Sequence, residues 1–416
     1  MAAKKNLKKR LDALLAEVAE AATTPELSSL PARVKGEQVE DELTGLFSDP
    51  SPLDRAIDPA KGVGDRHLPL LPSTNEAEPA GASTEPAQIR PEAAKPAQTP
   101  LTGDRDELAA PKRPGYVSRA WQSPTPDRDH ATIDPLLRTA ADPNPAVARL
   151  ALETLLEMGQ AVKDYVLLLS LQPRSPLHPG GQTYLSYLLG QPVVYIPLGP
   201  FLMGSNPAID ELAEPNEQPQ HQVSLAGYWL ARYPVTMARF QAFVQATGYR
   251  PAKVNFKPGY EQQPVVNVSW YEALAYCRWL SEQTGLAVTL PSEAEWEKGA
   301  RGPDGRRYPW GNQSPTMELC NFNCSTPVGY YSPQGDSSYG LADMAGNAWE
   351  WTRSAYRPYP YNPGDGREEL EGDQARVVRG LTFNNPLPLT RCSYRYRLQP
   401  QLRLPSLGFR VAVCPV

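Results

Sequence analysis

The sequence predicts an α+β fold for residues 191–416, and three observations carry that prediction. Ser269 with Glu272 and Ser292 with Glu295 form S-x-x-E capping boxes, each of which precedes a short helical pattern. Short apolar runs such as "VVYIPLG" and "RVVRG" are typical of strands. Turns of the "PDGR" and "PQGD" kind separate these elements, so we expect short strands and helices joined by extensive loops.

The N-terminal helical segment, residues 1–47, begins with an amphipathic helix. Residues 4–21 place leucines and one valine on a single helical face, and lysines and arginines are concentrated before Asp12. This pattern fits a helix that docks on a protein partner or an anionic surface. It also fits an ordinary helix with a solvated basic face.

Residues 48–130 are predicted to be a disordered Pro-rich linker. The stretch is rich in Pro, Ala, Glu, Ser and Thr, and no aromatic residue occurs between Phe47 and Tyr116. Such a composition buries too little apolar surface to offset the entropy lost on ordering. The segment should therefore act as a long, semi-extended tether.

Residues 131–190 are predicted to form a helical hairpin of two or three helices. Leu and Val recur at i, i+3 and i+4, Pro145 lies just inside a helix start, and Gly159 lies near a break. No second copy follows at a fixed period, so we expect a packing appendage or a dimerisation element and not a helical repeat.

Composition narrows the function classes. The 416 residues carry a formal charge of −5, which gives no global case for nucleic-acid binding. No apolar run reaches the length of a transmembrane segment, and the N-terminus lacks the apolar core of a signal peptide. The five cysteines are an odd number. We therefore expect a reduced, cytoplasmic protein.

Eight motifs occur in a characteristic order, among them "FLMGSN", "LPSEAEWEKGARG", "YPWGN", "YGLADMAGNAWEWT", "RVVRG" and "GFRVA". In this order they resemble the formylglycine-generating enzyme (sulfatase-modifying factor) family, whose fold is a variant of the C-type lectin fold. The resemblance covers about residues 191 to 416 and implies a C-type lectin-like domain there. It covers nothing before residue 180.

The resemblance implies where catalytic residues would lie. In the oxidase members, two cysteines five positions apart bind copper, and the second lies two residues before an Arg-Tyr-Arg element. Here Arg395 opens that element, so Pro388 and Ser393 occupy the cysteine positions. Cys392 is a lone thiol, and a soft copper site needs thiolates. We therefore expect no copper and no enzyme activity.

A second enzyme branch of this fold, the sulfoxide synthases of the ergothioneine type, holds iron with three histidines. This chain has four histidines, none of them paired at i, i+4. His221 lies beside a predicted strand, where a structural hydrogen-bonding role is the commoner one. We expect no iron.

Family members also bind calcium in the loop that here reads "DMAGNAWEW". The resemblance implies a structural Ca²⁺ site with two side-chain oxygens and two backbone carbonyls, which suits an ion that accepts six to eight oxygens. The matching positions are Asp343, Gly346, Ala348 and Glu350. In the alternative interpretation, Glu350 pairs with Arg379 or Arg410 in the core.

The stretch from Val377 to Val413 has regular ends and an irregular middle. In lectin-type folds the strands supply a rigid frame and the last loops build the exposed binding surface, so we expect a protein-binding face in this middle part. Tyr, Leu and Arg are also the mixture enriched at protein-binding hot spots. The predicted ligand-binding residues are Phe383, Leu389, Tyr394, Tyr396, Leu398, Gln399, Leu402, Leu404 and Ser406.

The same stretch resembles the variable region of proteins diversified by retroelements. Leu, Tyr, Pro and Ser stand where the usual template has Asn, and adenine-directed change of an AAC codon yields this set; Gln399 departs from it. The sequence thus predicts a non-catalytic ligand-binding protein whose C-terminal variable segment is the recognition surface. The alternatives are an oxidase-type enzyme with displaced catalytic residues, and a regulatory or adaptor module of a bacterial defence or signalling complex.

Overall fold

The computed structural model describes residues 130–321, 324–382 and 389–414. The predicted N-terminal helical segment and, apart from residue 130, the predicted linker lie outside the described residues, as does Phe383. The described part mixes helices with short strands, which confirms the α+β prediction. Within that part no helix is long and apolar enough to cross a bilayer.

Seven α-helices occur in the described part of the chain. Their bounds are α1 His130–Ala140, α2 Pro145–Met158, α3 Gln160–Leu169, α4 His178–Leu189, α5 Met237–Thr247, α6 Trp270–Thr284 and α7 Glu293–Arg301. Both predicted capping boxes form, at the start of α6 and of α7. Gly285 ends α6 in the left-handed conformation, φ 68°, which glycine adopts without steric cost.

The N-terminal helices number four rather than the two or three of a hairpin. Gly159, at φ 71°, ends α2 and lets α3 begin at the next residue, at the break that the sequence predicts. These helices share one buried apolar cluster with the domain that follows. Trp229 donates its indole N–H to Ser170 Oγ across this boundary at 2.6 Å.

Ten short strands form three sheets in the described part. The strands are β1 Val193–Ile196, β2 Gly199–Met203, β3 His221–Leu225, β4 Tyr228–Ala231, β5 Val288–Thr289, β6 Trp349–Ala355, β7 Arg376–Arg379, β8 Tyr396–Leu398, β9 Leu407–Phe409 and β10 Ala412–Val413. The sheet orders are β1-β4-β10-β5, β2-β3 and β8-β7-β6-β9. In the last sheet β8 pairs antiparallel with β7 and is an edge strand.

The main apolar cluster of the described part lies between helices α1 to α6 and strands of the first and third sheets, and α7 contributes Trp296 to a second cluster. Tryptophans fill much of these two clusters: Trp229, Trp270, Trp296 and Trp351 are fully buried. Their indole N–H groups all have acceptors, as buried polar groups require. This core fixes β6, β7 and β9, from which the C-terminal part of the chain extends.

Candidate functional site

The C-terminal segment, residues 389–406, lies between β7 and β9 and contains β8. Its flanks are rigid, as the sequence predicts. Gly380 has φ 92°, and a Cβ on Gly408 would lie 2.3 Å from the Val265 carbonyl oxygen, so neither position accepts a side chain without strain. Phe409 and Arg410 are fully buried.

Arg395 anchors the segment from within. Its Nε and Nη2 donate to the two oxygens of Glu293 at 2.6 and 2.7 Å, and both side chains are fully buried. Arg379 on β7 donates to the same carboxylate at 2.9 Å. The Arg395 guanidinium also lies 4.1 Å from the ring centre of Tyr359. Burial would raise the pKa of Glu293, but Arg395 and Arg379 hold it below its ordinary value.

Arg391 forms a second buried anchor. Its guanidinium donates to both oxygens of Glu217 at 2.6 and 2.7 Å and to Asp210 at 2.9 Å. Burial would lower the pKa of Arg391, but these carboxylates raise it above its ordinary value. The Ser205 and Ser393 hydroxyls lie 2.7 Å apart beside this pair. Two residues of the segment thus carry charges that point inward.

The residues beside Arg395 do not fit a two-sulfur copper site. Ser393 offers a hydroxyl that is hydrogen-bonded to Ser205, and Pro388 lies outside the described residues. Cys392 is fully buried, and burial raises the pKa of its thiol to about 12. A protonated thiol and a hydroxyl are poor ligands for a soft metal ion.

A cleft of about 470 Å³ opens next to the Arg391 anchor. Ser205, which belongs to the anchor's hydrogen-bond network, also lines this cleft. Amide and carboxamide groups dominate the other walls, which are formed by Asn206, Pro207, Gln218, Pro219 and Gln220. The cleft is polar and carries no charged side chain on its lining, so it suits neutral polar groups of a ligand.

The outer side of the segment is apolar and aromatic. Tyr396 is 51% exposed and Leu402 is 38% exposed. Gln399, which lies between them in the chain, is also exposed. Trp349 lies beneath, with its ring centre 6.0 Å from that of Tyr394 and 6.2 Å from that of Tyr396. These rings form one aromatic group that reaches from the core to the surface.

The other predicted ligand-binding residues contribute less exposed surface. Leu389, Tyr394, Leu398 and Leu404 are partly buried and pack against the core, and Ser406 is partly buried too. The expectation that Tyr394, Tyr396, Leu398, Leu402 and Leu404 project together onto one exposed face is therefore wrong for three of the five. Their partial burial follows from tight backbone ties, because Asn267 N–H donates to Leu404 O and Trp270 N–H to Pro400 O.

The predicted calcium loop is built around buried carboxylates. Glu350 accepts Nε and Nη2 of Arg410 at 2.6 and 2.7 Å, as in the alternative interpretation, and also the Trp296 indole N–H. Asp343 accepts the Gly329 N–H at 2.7 Å, and burial raises the pKa of Asp343 to about 6. One candidate ligand is thus neutralised by an arginine, whereas the other has no guanidinium bonded to its carboxylate among the described residues.

Backbone carbonyls complete the predicted calcium set. Gly346, at φ 88°, holds its carbonyl 2.8 Å from the Ala348 N–H, and its own N–H donates to Gly380 O. This loop therefore contacts Gly380, the residue that directly follows β7. Ca²⁺ at these four positions stays a prediction.

The described histidine beside β3 has a structural role. His221 Nδ1 lies 2.8 Å from Pro219 O, and its Nε2 accepts the Tyr361 N–H at 2.7 Å. With both ring nitrogens bonded to backbone, His221 has no free lone pair for iron. His178 Nε2 likewise lies 3.0 Å from Leu169 O, and the His178 ring centre lies 3.9 Å from that of Tyr195.

The C-terminal domain matches a known protein family. The family described as "Sulfatase-modifying factor enzyme 1-like domain" matches residues 189–414, which is more than half of the chain. The chain belongs to this family. Its C-terminal half therefore has the formylglycine-generating-enzyme type of C-type lectin-like fold that the sequence predicts.

Several proteins that are similar to this chain are named as enzymes. Hercynine oxygenase of Mycolicibacterium smegmatis is 32% identical over 276 residues, which cover 53% of this chain and 60% of that protein. Formylglycine-generating enzyme of Mus musculus is 25% identical over 292 residues, which cover 53% of this chain and 74% of that protein. The structure of PvdO from Pseudomonas aeruginosa is 29% identical with a TM-score of 0.48 and covers 54% of this chain and 94% of its own.

These relatives overturn one expectation. The absence of the cysteine pair predicts a protein that is not an enzyme, yet relatives at about 30% identity are named as enzymes. That prediction is wrong because it equates the missing copper cysteines and iron histidines of two enzyme branches with a lack of all enzyme chemistry. The match spans less than two thirds of the length of the hercynine oxygenases.

Sequence reasoning missed the inward anchors and the aromatic support. Glu217 and Glu293 bind Arg391 and Arg395 from 174 and 102 positions away in the chain, so no local pattern joins them. Glu293 follows the Ser292 cap directly, but every residue of α7 is buried, so its place in the helix does not distinguish it. Trp349 carries no local signal of its contact with Tyr396.

Proposed function

We propose that the domain binds a protein ligand through the outer side of the C-terminal segment. One observation supports this most directly: two buried charged anchors and one exposed aromatic side chain lie within a few residues of one another. Arg391 and Arg395 are buried in ion pairs, whereas Tyr396 directly after the second anchor is half exposed. A surface tyrosine on a rigid strand supplies contact area at low entropic cost.

The proposal is tested by selecting binders on the full-length protein. A displayed library of random peptides is enriched on the wild type, and the enriched peptides are assayed against the double variant Tyr396→Ser, Leu402→Ser. We expect loss of binding in this variant. The matched control is Tyr260→Ser, Leu171→Ser, since these side chains are exposed to a similar extent, 46% and 49%.

Two results would contradict the proposal. Equal binding to wild type and to the Tyr396, Leu402 variant would place recognition elsewhere on the molecule. Equal losses in the two double variants would show that the selected peptides respond to general surface hydrophobicity. Thermal melts of each variant confirm that the chain is folded in every assay.

Diversification of the segment is the second part of this proposal. The residues at template-Asn positions include the exposed Tyr396 and Leu402. We expect the DNA near the gene to contain a near-copy of the codons for residues 377–411. That copy should differ from the gene almost only where it has adenine, and a genome without such a copy would contradict diversification.

The named relatives favour a second candidate function, an oxidative enzyme. In that case the cleft beside Ser205 and Ser393 would hold the substrate. The test is to incubate the full-length protein with iron or copper and oxygen, either with hercynine plus a thiol such as cysteine, which supplies the sulfur of a sulfoxide product, or with a cysteine-containing peptide. Mass spectrometry then reports a product mass that heat-unfolded protein does not give. Unchanged substrates under both metals would contradict this candidate.

A further inference from the structure

We infer that the ligand is an acidic, extended peptide segment of another protein that adds as a strand to the free edge of β8. This inference rests on the proposed function and specifies its partner. β8 is the outermost strand of the order β8-β7-β6-β9. An edge strand presents unpaired backbone N–H and C=O groups, which template the pairing of a further strand.

Among the described residues, β8 has no backbone partner other than β7. Val377 pairs with Arg397 and Val378 with Tyr396 on the β7 side. No described segment other than β7 forms a backbone hydrogen bond with residues 396–398. In an antiparallel pair, alternate residues direct their N–H and C=O groups away from the partner strand, so part of this backbone is available to a ligand.

The side chains along the edge indicate the chemistry of the occupant. Tyr396 and Arg397 are both exposed, and Arg397 forms no salt bridge with any described carboxylate. The Arg397 guanidinium lies 4.8 Å from the ring centre of Tyr356, which holds it over an aromatic face. A carboxylate on the added strand would complement this charge, and an apolar side chain would pack on Tyr396.

Residues on both sides of β8 fix the position of this strand in the absence of a ligand. Arg395, immediately before β8, is fixed to Glu293, and Pro400 shortly after it is buried with its carbonyl bonded to Trp270 N–H. A strand held at both ends loses little conformational entropy when it pairs. Arginine on an edge also discourages pairing between copies of the same chain, which leaves the edge to an oppositely charged partner.

Two measurements test the inference with peptides from the display selection. Single N-methylation along a peptide should weaken binding about tenfold or more at every second residue and little at the residues between, because strand pairing uses alternate N–H groups. The Arg397→Glu variant should bind acidic peptides about tenfold more weakly, and replacing the peptide acid by lysine should restore binding to that variant. Arg174→Glu is the control, since Arg174 is exposed in the loop between α3 and α4.

The outcomes separate this inference from the proposed function. Peptides that need Tyr396 but show no two-residue period on N-methylation, and no charge exchange with Arg397→Glu, would overturn the strand addition and leave the proposed function intact. Peptides that do not need Tyr396 or Leu402 would overturn both.

Discussion

The two sides of the C-terminal segment are held by different forces. On the inner side, Arg391 and Arg395 lie in buried ion pairs with Glu217 and Glu293. On the outer side, Tyr396 is half exposed, and its ring centre lies 6.2 Å from that of Trp349. Buried ion pairs are costly to break from one side, whereas exposed side chains contribute little to stability. The residues that stabilise this short stretch thus differ from those proposed to recognise the ligand.

The largest effect is expected from breaking an inner anchor. Glu293→Ala leaves Arg395 and Arg379 buried without this carboxylate, and we expect a loss of about 3–5 kcal/mol in the free energy of unfolding. Urea denaturation measures it. Glu153→Ala is the control, because Glu153 forms a 3.3 Å pair with Arg149 on an exposed helix face, worth less than about 1 kcal/mol. Similar losses for the two variants would remove the distinction between the two sides.

Local sequence patterns predicted the ends of the helices better than the buried arginine anchors of the C-terminal segment. The capping residues Ser269 and Ser292 and the turn at Gly285 act through neighbours within a few positions, so local patterns reveal them. Arg395 shows the limit of such patterns. An arginine in a polar stretch is usually exposed, and Arg395 is buried because Glu293, 102 positions away, compensates its charge.

The same limit explains the errors on the outer side. Leu398 and Leu404 looked like surface residues because the middle of the segment has no period, yet the backbone ties to Asn267 and Trp270 draw this part against the core. Tertiary contacts of this kind carry no local sequence signal. The enzyme relatives show a similar limit for function, because the loss of one cysteine pair does not decide the chemistry of the whole family.

Calcium tests a different part of the molecule, because it would neutralise the buried Asp343 carboxylate, to which no arginine of the described residues is bonded. Binding of Ca²⁺ to the native state at 100 times its dissociation constant adds about 2.7 kcal/mol to the free energy of unfolding. We therefore expect added calcium to raise the melting temperature of the wild type and not that of Asp343→Asn, which keeps an acceptor for Gly329 N–H. Identical wild-type melting curves with calcium and with a chelator would contradict the site.

A smaller effect on stability is expected from Glu272, a carboxylate on α6 that binds Arg403 in the C-terminal segment. Glu272 accepts Arg403 Nε at 2.8 Å and completes the capping box with Ser269. Glu272→Gln preserves the cap but removes the charge, so we expect a loss of about 1 kcal/mol at pH 7. Chemical denaturation across pH gives the measurement.

The pH dependence of Glu272→Gln has a definite sign. Burial would raise the pKa of Glu272, but hydrogen bonds from Ser269 and Arg403 leave it below its ordinary value. A carboxyl with a lowered pKa in the folded state contributes stability above its unfolded pKa, about 4.3, and loses it as pH falls through the folded value. The difference between wild type and Glu272→Gln should therefore be complete at pH 7 and shrink below about pH 4. A difference that grows on acidification would contradict this account.

The smallest stability effect should come from the outer side itself. Tyr396→Ser with Leu402→Ser removes side chains that water already reaches, so we expect the free energy of unfolding to fall by less than about 1 kcal/mol. Leu398→Ser with Leu404→Ser changes the same segment by the same number of residues, but these leucines are partly buried against the core. Their loss should cost clearly more, about 2 kcal/mol or above, since apolar burial and packing are both removed. Equal costs for the two pairs would mean that the exposed and buried parts of the segment are one structural unit. Recognition could then not vary without loss of stability.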